Sequence, residues 1–136
     1  MAEAKFYKDF PKEGVNFMDL FSLTAKPKVF EELIKGTVKV IDEELGADGF
    51  NCIIGLESRG FILGPVLANH YKVPFVPIRK KGKLPGECHK QVYGTEYSKD
   101  VCELQKDSLV PGSKVLLIDD LMATGGTMKA AEQLIS

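Results

Sequence analysis

The chain is poor in the residues that mark the specialised protein classes. Its three cysteines, Cys52, Cys88 and Cys102, are odd in number, widely spaced and contain no CxxC pair, which argues against both a disulfide framework and a zinc site. The two histidines, His70 and His89, have no paired ligand spacing and are read as a helix residue and a loop residue without a catalytic role. Neither sign of charge dominates. The formal net charge is −1, so the broad basic excess of a nucleic-acid-binding surface is missing. No apolar run approaches the length that spans a bilayer. Met1-Ala2-Glu3-Ala4-Lys5 lacks the apolar core of a signal peptide. Internal repeats and low-complexity segments are absent. A reducing cytoplasmic compartment is therefore expected, with neither nucleic acid nor membrane as partner. What is present is ordinary: 136 residues, 44% hydrophobic, enough for the core of a single domain.

Residues 10–24 read as loop around Pro11 and Gly14, then as mixed structure. A helix follows. Pro27 suits its first turn, Phe30, Leu33, Ile34, Val38, Ile41 and Leu45 recur at helical spacing, and Gly46 is a natural stop. Cys52–Leu56 and Val115–Ile118 are short apolar runs of the kind found in buried parallel strands, and Phe75–Ile78 reads as another strand. Between the first and second of these in chain order, Ser58 can cap a helix that runs to about Tyr71, irregular near Pro65. Residues 80–90 read as loop, and residues 91–105 as an exposed β-hairpin turning at Ser98-Lys99-Asp100. Gly125-Gly126-Thr127 opens a last helix with Met128, Ala131, Leu134 and Ile135 on one side. Strands alternating with helices predict an α/β fold with a central parallel sheet. The chain stops inside that last helix, where a doubly wound sheet would return into another strand, so a piece of a longer protein, lacking its C-terminal part, is expected.

The most informative segment is residues 115–127: an apolar strand, the acids Asp119 and Asp120 at its carboxyl end, the small-residue loop Ala123-Thr124-Gly125-Gly126-Thr127, then a helix. Ligands of open α/β sheets bind at the carboxyl ends of strands. The two glycines let the backbone approach a phosphate, the N–H groups of residues 123–127 and the helix N-terminus favour an anion, and Thr124 and Thr127 add hydroxyls. Alone, the acid pair or the loop would be a strand-to-helix turn with an acidic cap. Together and in this order they suit a phosphate held by the loop, with ribose hydroxyls or the waters of a magnesium ion held by the acids.

This segment resembles the signature of the type I phosphoribosyltransferases, which bind phosphoribosyl pyrophosphate (PRPP). It has no Gly-Lys-Ser/Thr and so is not a Walker A loop. Four further segments resemble the adenine phosphoribosyltransferases within that family: residues 10–19 (FPKEGVNFMD), 55–61 (GLESRGF), 78–86 (IRKKGKLPG), and Glu96-Tyr97 followed by residues 103–107 (ELQKD). With the phosphate loop they cover residues 10–127 in order.

The resemblance implies an N-terminal hood over about residues 1–26, a core over about 27–136, and a flexible hairpin that closes over the site. It implies transfer of the 5-phosphoribosyl group from PRPP to adenine, giving AMP and diphosphate in purine salvage, with Mg2+ carried by PRPP and water near Asp119 and Asp120 rather than by direct protein ligands. Glu96, Asp119 and Asp120 are the implied catalytic carboxylates. Ala123, Thr124, Gly125, Gly126 and Thr127 would hold the 5′-phosphate. Glu57, Ser58, Arg59, Arg79, Lys80, Lys83 and Tyr97 would hold the diphosphate, with Arg79 or Lys80 reaching into a partner subunit of a homodimer. The main chain near Asn16 would read the adenine edge, and Phe17 and Leu121 would sandwich the ring. Three departures from the family pattern stand out: Glu57 where Asp is more frequent, Met18 where Arg is frequent, and Asn16 where an aliphatic residue is common. A strained cis peptide between Glu57 and Ser58 is also implied. Another base such as xanthine, or a non-catalytic PRPP-sensing regulator, is the competing reading.

Overall fold

Five residues in a row, Cys52–Leu56, are buried and carry no charge, and the sheet is built outward from them. A computed structural model describes residues 3–95, 98–120 and 125–136. Those residues form, in order, β1 (Lys5–Lys8), β2 (Asn16–Asp19), α1 (Phe21–Thr24), α2 (Pro27–Glu44), β3 (Cys52–Leu56), α3 (Gly60–Tyr71), β4 (Phe75–Lys80), β5 (Cys88–Thr95), β6 (Ser98–Gln105), β7 (Val115–Ile118) and α4 (Gly126–Ile135). They group into two units, residues 1–44 and 45–136. Among the described residues no helix is long and apolar enough to cross a membrane.

In the first unit β1 and β2 pair antiparallel, with Lys5 opposite Asp19 and Lys8 opposite Asn16. This two-stranded sheet was not expected within the irregular stretch. All four β1 residues are exposed, so no alternation of polar and apolar side chains betrays the strand. The link between them contains the cis Phe10–Pro11 bond and is tied by the Gly14 N–H donating to Asp9 Oδ1 at 2.8 Å. Helix α2 has the expected stripe: Phe30, Leu33, Ile34 and Val38 are half-buried and Ile41 is buried, while Glu31, Glu32, Lys35 and Lys39 are exposed. Leu45, which continued the periodicity, lies past the end of the helix and is exposed.

In the second unit the strand order is β5-β6-β4-β3-β7. Strand β3 pairs parallel with β4 on one edge (Ile53 to Phe75) and with β7 on the other (Ile53 to Leu116). The expected parallel sheet is therefore only part of the whole, because β6 joins β4 antiparallel and β5 joins β6 antiparallel, making the sheet mixed. The hairpin predicted over 91–105 is longer than expected. Strand β5 starts at Cys88, inside the segment read as loop, and Thr95 pairs with Ser98, so Ser98-Lys99-Asp100 belong to a strand rather than to the turn. One core cluster contains Cys52, Ile54 and Leu56 from β3, Val76 and Ile78 from β4, Cys102 and Leu104 from β6, and Ala130 and Ala131 from α4. Small residues on α4 are what let its backbone lie close to that face of the sheet.

Helix α3 starts at Gly60, with Arg59 at its N-cap position. Ser58 does not cap it through its hydroxyl. The Ser58 carbonyl instead accepts the Phe61 N–H at 3.2 Å. Pro65 sits inside the helix without breaking it, at the expense of one backbone hydrogen bond. At Gly60 the helix backbone comes so close to the end of β7 that a Cβ there would overlap the Ile118 carbonyl oxygen and lie 3.2 Å from the Gly55 carbonyl carbon. Both obstacles are backbone and cannot swing away. Gly60→Ala is accordingly expected to lower unfolding free energy by about 1–3 kcal/mol, as overpacking does. Urea denaturation at neutral pH measures it, and an unchanged midpoint would show that α3 and β7 are free to separate.

Candidate active site at the carboxyl ends of the parallel strands

The chain runs from β3 through α3 to β4 on one side of β3, and later returns to β7 on its other side. The connections leaving β3 and β7 at their carboxyl ends therefore part in opposite directions and open a crevice between them, the usual ligand position in such sheets. Residues 57–59 lie on one lip and Asp119 and Asp120 on the other, with Gly125 and the start of α4 following.

An ion pair spans this crevice. Arg59 Nε lies 2.7 Å from Asp120 Oδ2, and the Asp120 side chain is only 5% exposed. The Asp120 N–H donates to Asp119 Oδ1 at 2.9 Å. Burial pushes the Asp119 carboxyl above its ordinary value, and the neighbouring Asp120 carboxylate pushes the same way, while the Asp120 N–H and Arg59 oppose them. Of the two acids, Asp120 is thus matched by a guanidinium, and Asp119 is held above the ordinary aspartate value.

At the end of the neighbouring strand, Glu57 accepts from Arg79 through both oxygens (Nη2 to Oε1 3.1 Å, Nε to Oε2 3.3 Å) and from the Lys80 N–H at 3.0 Å. Those bonds, Arg79's foremost, hold its carboxyl below the ordinary glutamate value. A third Arg79 donor, Nη1, reaches the Lys83 carbonyl at 2.9 Å, and the guanidinium carbon lies 6.0 Å from the centre of the Phe61 ring. Both Glu57 oxygens are therefore taken by partners within the chain. The Glu57–Ser58 peptide bond is cis, as the resemblance implied.

Gly125 adopts φ +76°, the left-handed region that side chains other than glycine's rarely enter, and α4 begins directly after it. Thr127, in the first turn of α4, lies near the phenol of Tyr93 of β5, which is pushed up mainly by burial. Tyr93 was not singled out from the sequence, since nothing local links it to a residue 34 positions later. Glu96, Tyr97, Leu121, Ala123 and Thr124 lie outside the described residues. Asn16 and Phe17 are on β2 in the first unit, where the Phe17 ring meets Phe10 edge to face at 5.2 Å.

The pattern of the phosphoribosyl transferase domain matches residues 22–136. Adenine phosphoribosyltransferase 1 of Saccharomyces cerevisiae is 44% identical over 95% of this chain and 69% of its own length. The adenine phosphoribosyltransferase of Ruminiclostridium cellulolyticum is 46% identical over 93% of this chain and 72% of its own length. This chain belongs to the adenine phosphoribosyltransferase family. Its fold agrees: the crystal structure of the S. cerevisiae enzyme, complexed with an imino-altritol 1,6-bisphosphate and adenine, superposes with a TM-score of 0.92 at 42% identity, covering 98% of this chain and 76% of that one. The family enzymes are pentosyltransferases, and this α/β fold with its mixed sheet is theirs.

The raised Asp119 carboxyl gives a test that separates a family site from a structural turn. The folded state holds the Asp119 proton more tightly than the unfolded chain does. Stability therefore falls as pH rises from the ordinary aspartate range through the raised folded value, and the penalty is complete above it. Asp119→Asn keeps an oxygen for the Asp120 N–H and removes the penalty. Its melting temperature should exceed the wild type's at neutral pH, with the gap closing below about pH 4, while catalytic activity falls. A variant that melts lower at neutral pH would make Asp119 a residue of the fold.

Proposed function

We infer that the protein transfers the 5-phosphoribosyl group of PRPP to adenine. Adenine N9 attacks C1′, the bond from C1′ to the diphosphate oxygen breaks, the electron pair leaves with diphosphate, and loss of the N9 proton completes AMP. The reading rests above all on the crevice between β3 and β7, where a left-handed glycine opening a helix, a half-buried acid pair and an arginine stand at adjacent strand ends.

In this mechanism the backbone of residues 123–127 holds the 5′-phosphate, and that remote binding orients C1′. Asp119 and Asp120 hold the ribose hydroxyls and supply negative potential to an oxocarbenium-like transition state. Arg59, released from Asp120 when the ribose binds, joins Ser58, Arg79, Lys80, Lys83 and Tyr97 around the diphosphate. The hairpin closes over the site with Glu96 at the base and excludes water. Asn16, Phe17 and Leu121 form the base site. A homodimer, with Arg79 or Lys80 serving the neighbouring subunit, and a cytoplasmic location belong to the same reading. The three cysteines are unpaired, as suits a reducing compartment.

Magnesium fits this donor set as a companion of the substrate. Two adjacent carboxylates, one already matched by Arg59, suit the waters of a substrate-borne ion. Asp119 and Asp120 would hold those waters, and the ion would neutralise charge on the departing diphosphate.

Product analysis with adenine, guanine, hypoxanthine and xanthine tests the base: AMP is expected, and formation of another nucleotide without AMP would overturn the assignment. Calorimetry tests the phosphate loop. Gly125→Val forces a branched side chain into the left-handed region, and AMP affinity should fall at least about 10-fold, or about 1.4 kcal/mol. Unchanged AMP binding in that variant would remove the loop from the site.

A further inference from the structure

Arg79, Lys80, Lys81 and Lys83 crowd four like charges into the end of β4 and the loop after it. Left to themselves such side chains repel and wander. Three carboxylates meet this segment: Asp100 Oδ2 lies 3.8 Å from Lys80 Nζ, and the other two also hold its backbone. Glu57 takes its start, through Arg79 and the Lys80 N–H. Glu103 takes its bend: Oε2 accepts the Gly82 N–H at 2.8 Å, and Oε1 lies 3.1 Å from Lys90 Nζ. The Lys81 N–H donates to the Val101 carbonyl at 3.0 Å and the Lys83 N–H to the Lys80 carbonyl at 3.2 Å, so successive backbone groups of the loop are fastened.

Glu103 is an unusual residue for its place. It lies in β6 between Cys102 and Leu104, both buried, and is itself only 3% exposed. Strand register sets it opposite Arg79 of β4 on one side and Lys90 of β5 on the other, on one face of the sheet. A carboxylate so enclosed is tolerated only with partners, and both of its oxygens have one. The Gly82 N–H and Lys90 hold its carboxyl below the ordinary value, so it is a full charge at neutral pH. Lys90 absorbs charge from one side, while the other oxygen is spent on a backbone amide. A residue serving only the packing of β6 would be better replaced by an apolar side chain.

We propose that Glu103 is a positioning residue for the diphosphate end of the substrate: from β6 it pins the backbone at Gly82 and so holds the cations of the 79–83 segment in a prearranged set. The inference rests on the reading that this segment receives diphosphate. It touches no reacting atom and needs no movement of β6.

The test uses Glu103→Ala and Glu103→Gln, with Arg79→Ala as the check on the underlying reading. Hydrogen exchange at the Gly82 amide and steady-state kinetics with PRPP and adenine are measured for each. Glu103→Ala should speed Gly82 exchange and raise KM for PRPP about 10-fold or more, as misplacement of a binding group does, with KM for adenine unchanged. Glu103→Gln still accepts the Gly82 N–H and should recover most of both effects. If Gly82 exchange stays slow in Glu103→Ala, or KM for PRPP rises no more than KM for adenine, the positioning role is overturned. If Arg79→Ala raises KM for PRPP while Glu103→Ala does not, only the positioning role falls. If neither variant changes it, the segment does not bind diphosphate and the reading beneath falls with the proposal.

Discussion

Strand β3 is hydrogen-bonded to parallel neighbours on both edges and has no exposed residue. Such a strand cannot carry a charge along its length, so polar chemistry can begin only where it ends. Glu57, Ser58 and Arg59 follow at once. Because β4 and β7 run in the same direction as β3, their own carboxyl ends fall at the same level, bringing Arg79 and the pair Asp119–Asp120 alongside. The proximity of Arg59 and Asp120, 61 positions apart in the chain, follows from this parallel pairing. Gly60 completes the geometry, since only a residue without a side chain lets α3 start against the last carbonyl of β7.

The charges so assembled are mutually supporting. Arginines and carboxylates alternate around the strand ends: Arg79 with Glu57, Arg59 with Asp120. Each pair keeps a cation in a fixed orientation that a ligand can exploit, and each carboxylate is spared the full cost of partial burial. Asp119 is the exception. It lies close to Asp120, and burial raises its carboxyl above the ordinary aspartate value. The hairpin β5–β6 enters the same system through Glu103, which accepts the Gly82 N–H of the basic segment.

Much of the architecture was legible from local pattern. Cys52–Leu56 is an uninterrupted apolar run and is buried throughout, as read from the sequence, whereas Val115–Ile118, an equally apolar run expected to be buried, is half-buried along its length because β7 stands at the end of the strand order. The stripe from Phe30 to Ile41, opened by Pro27 and stopped at Gly46, could be only an amphipathic helix. Strand β1 was invisible, because Lys5–Lys8 bury nothing and derive their form from pairing with β2 alone. The hairpin turn was misplaced because Ser98, Lys99 and Asp100 have turn-forming side chains, while the register is set by how β6 continues onto β4.

The sequence by itself determined the alternation of strands and helices, the glycine pair that opens α4, and the chemical kind of the loops at the strand ends, because these depend on side-chain volume, periodicity and backbone freedom within a few residues. Resemblance across residues 10–127 added the base and the reaction. Only the tertiary structure decided which charges meet. That Glu57 is occupied by Arg79, that Arg59 closes on Asp120 and that Glu103 pins Gly82 all depend on strand order and register. Those are settled by the packing of the whole sheet and leave no mark on neighbouring positions in the chain.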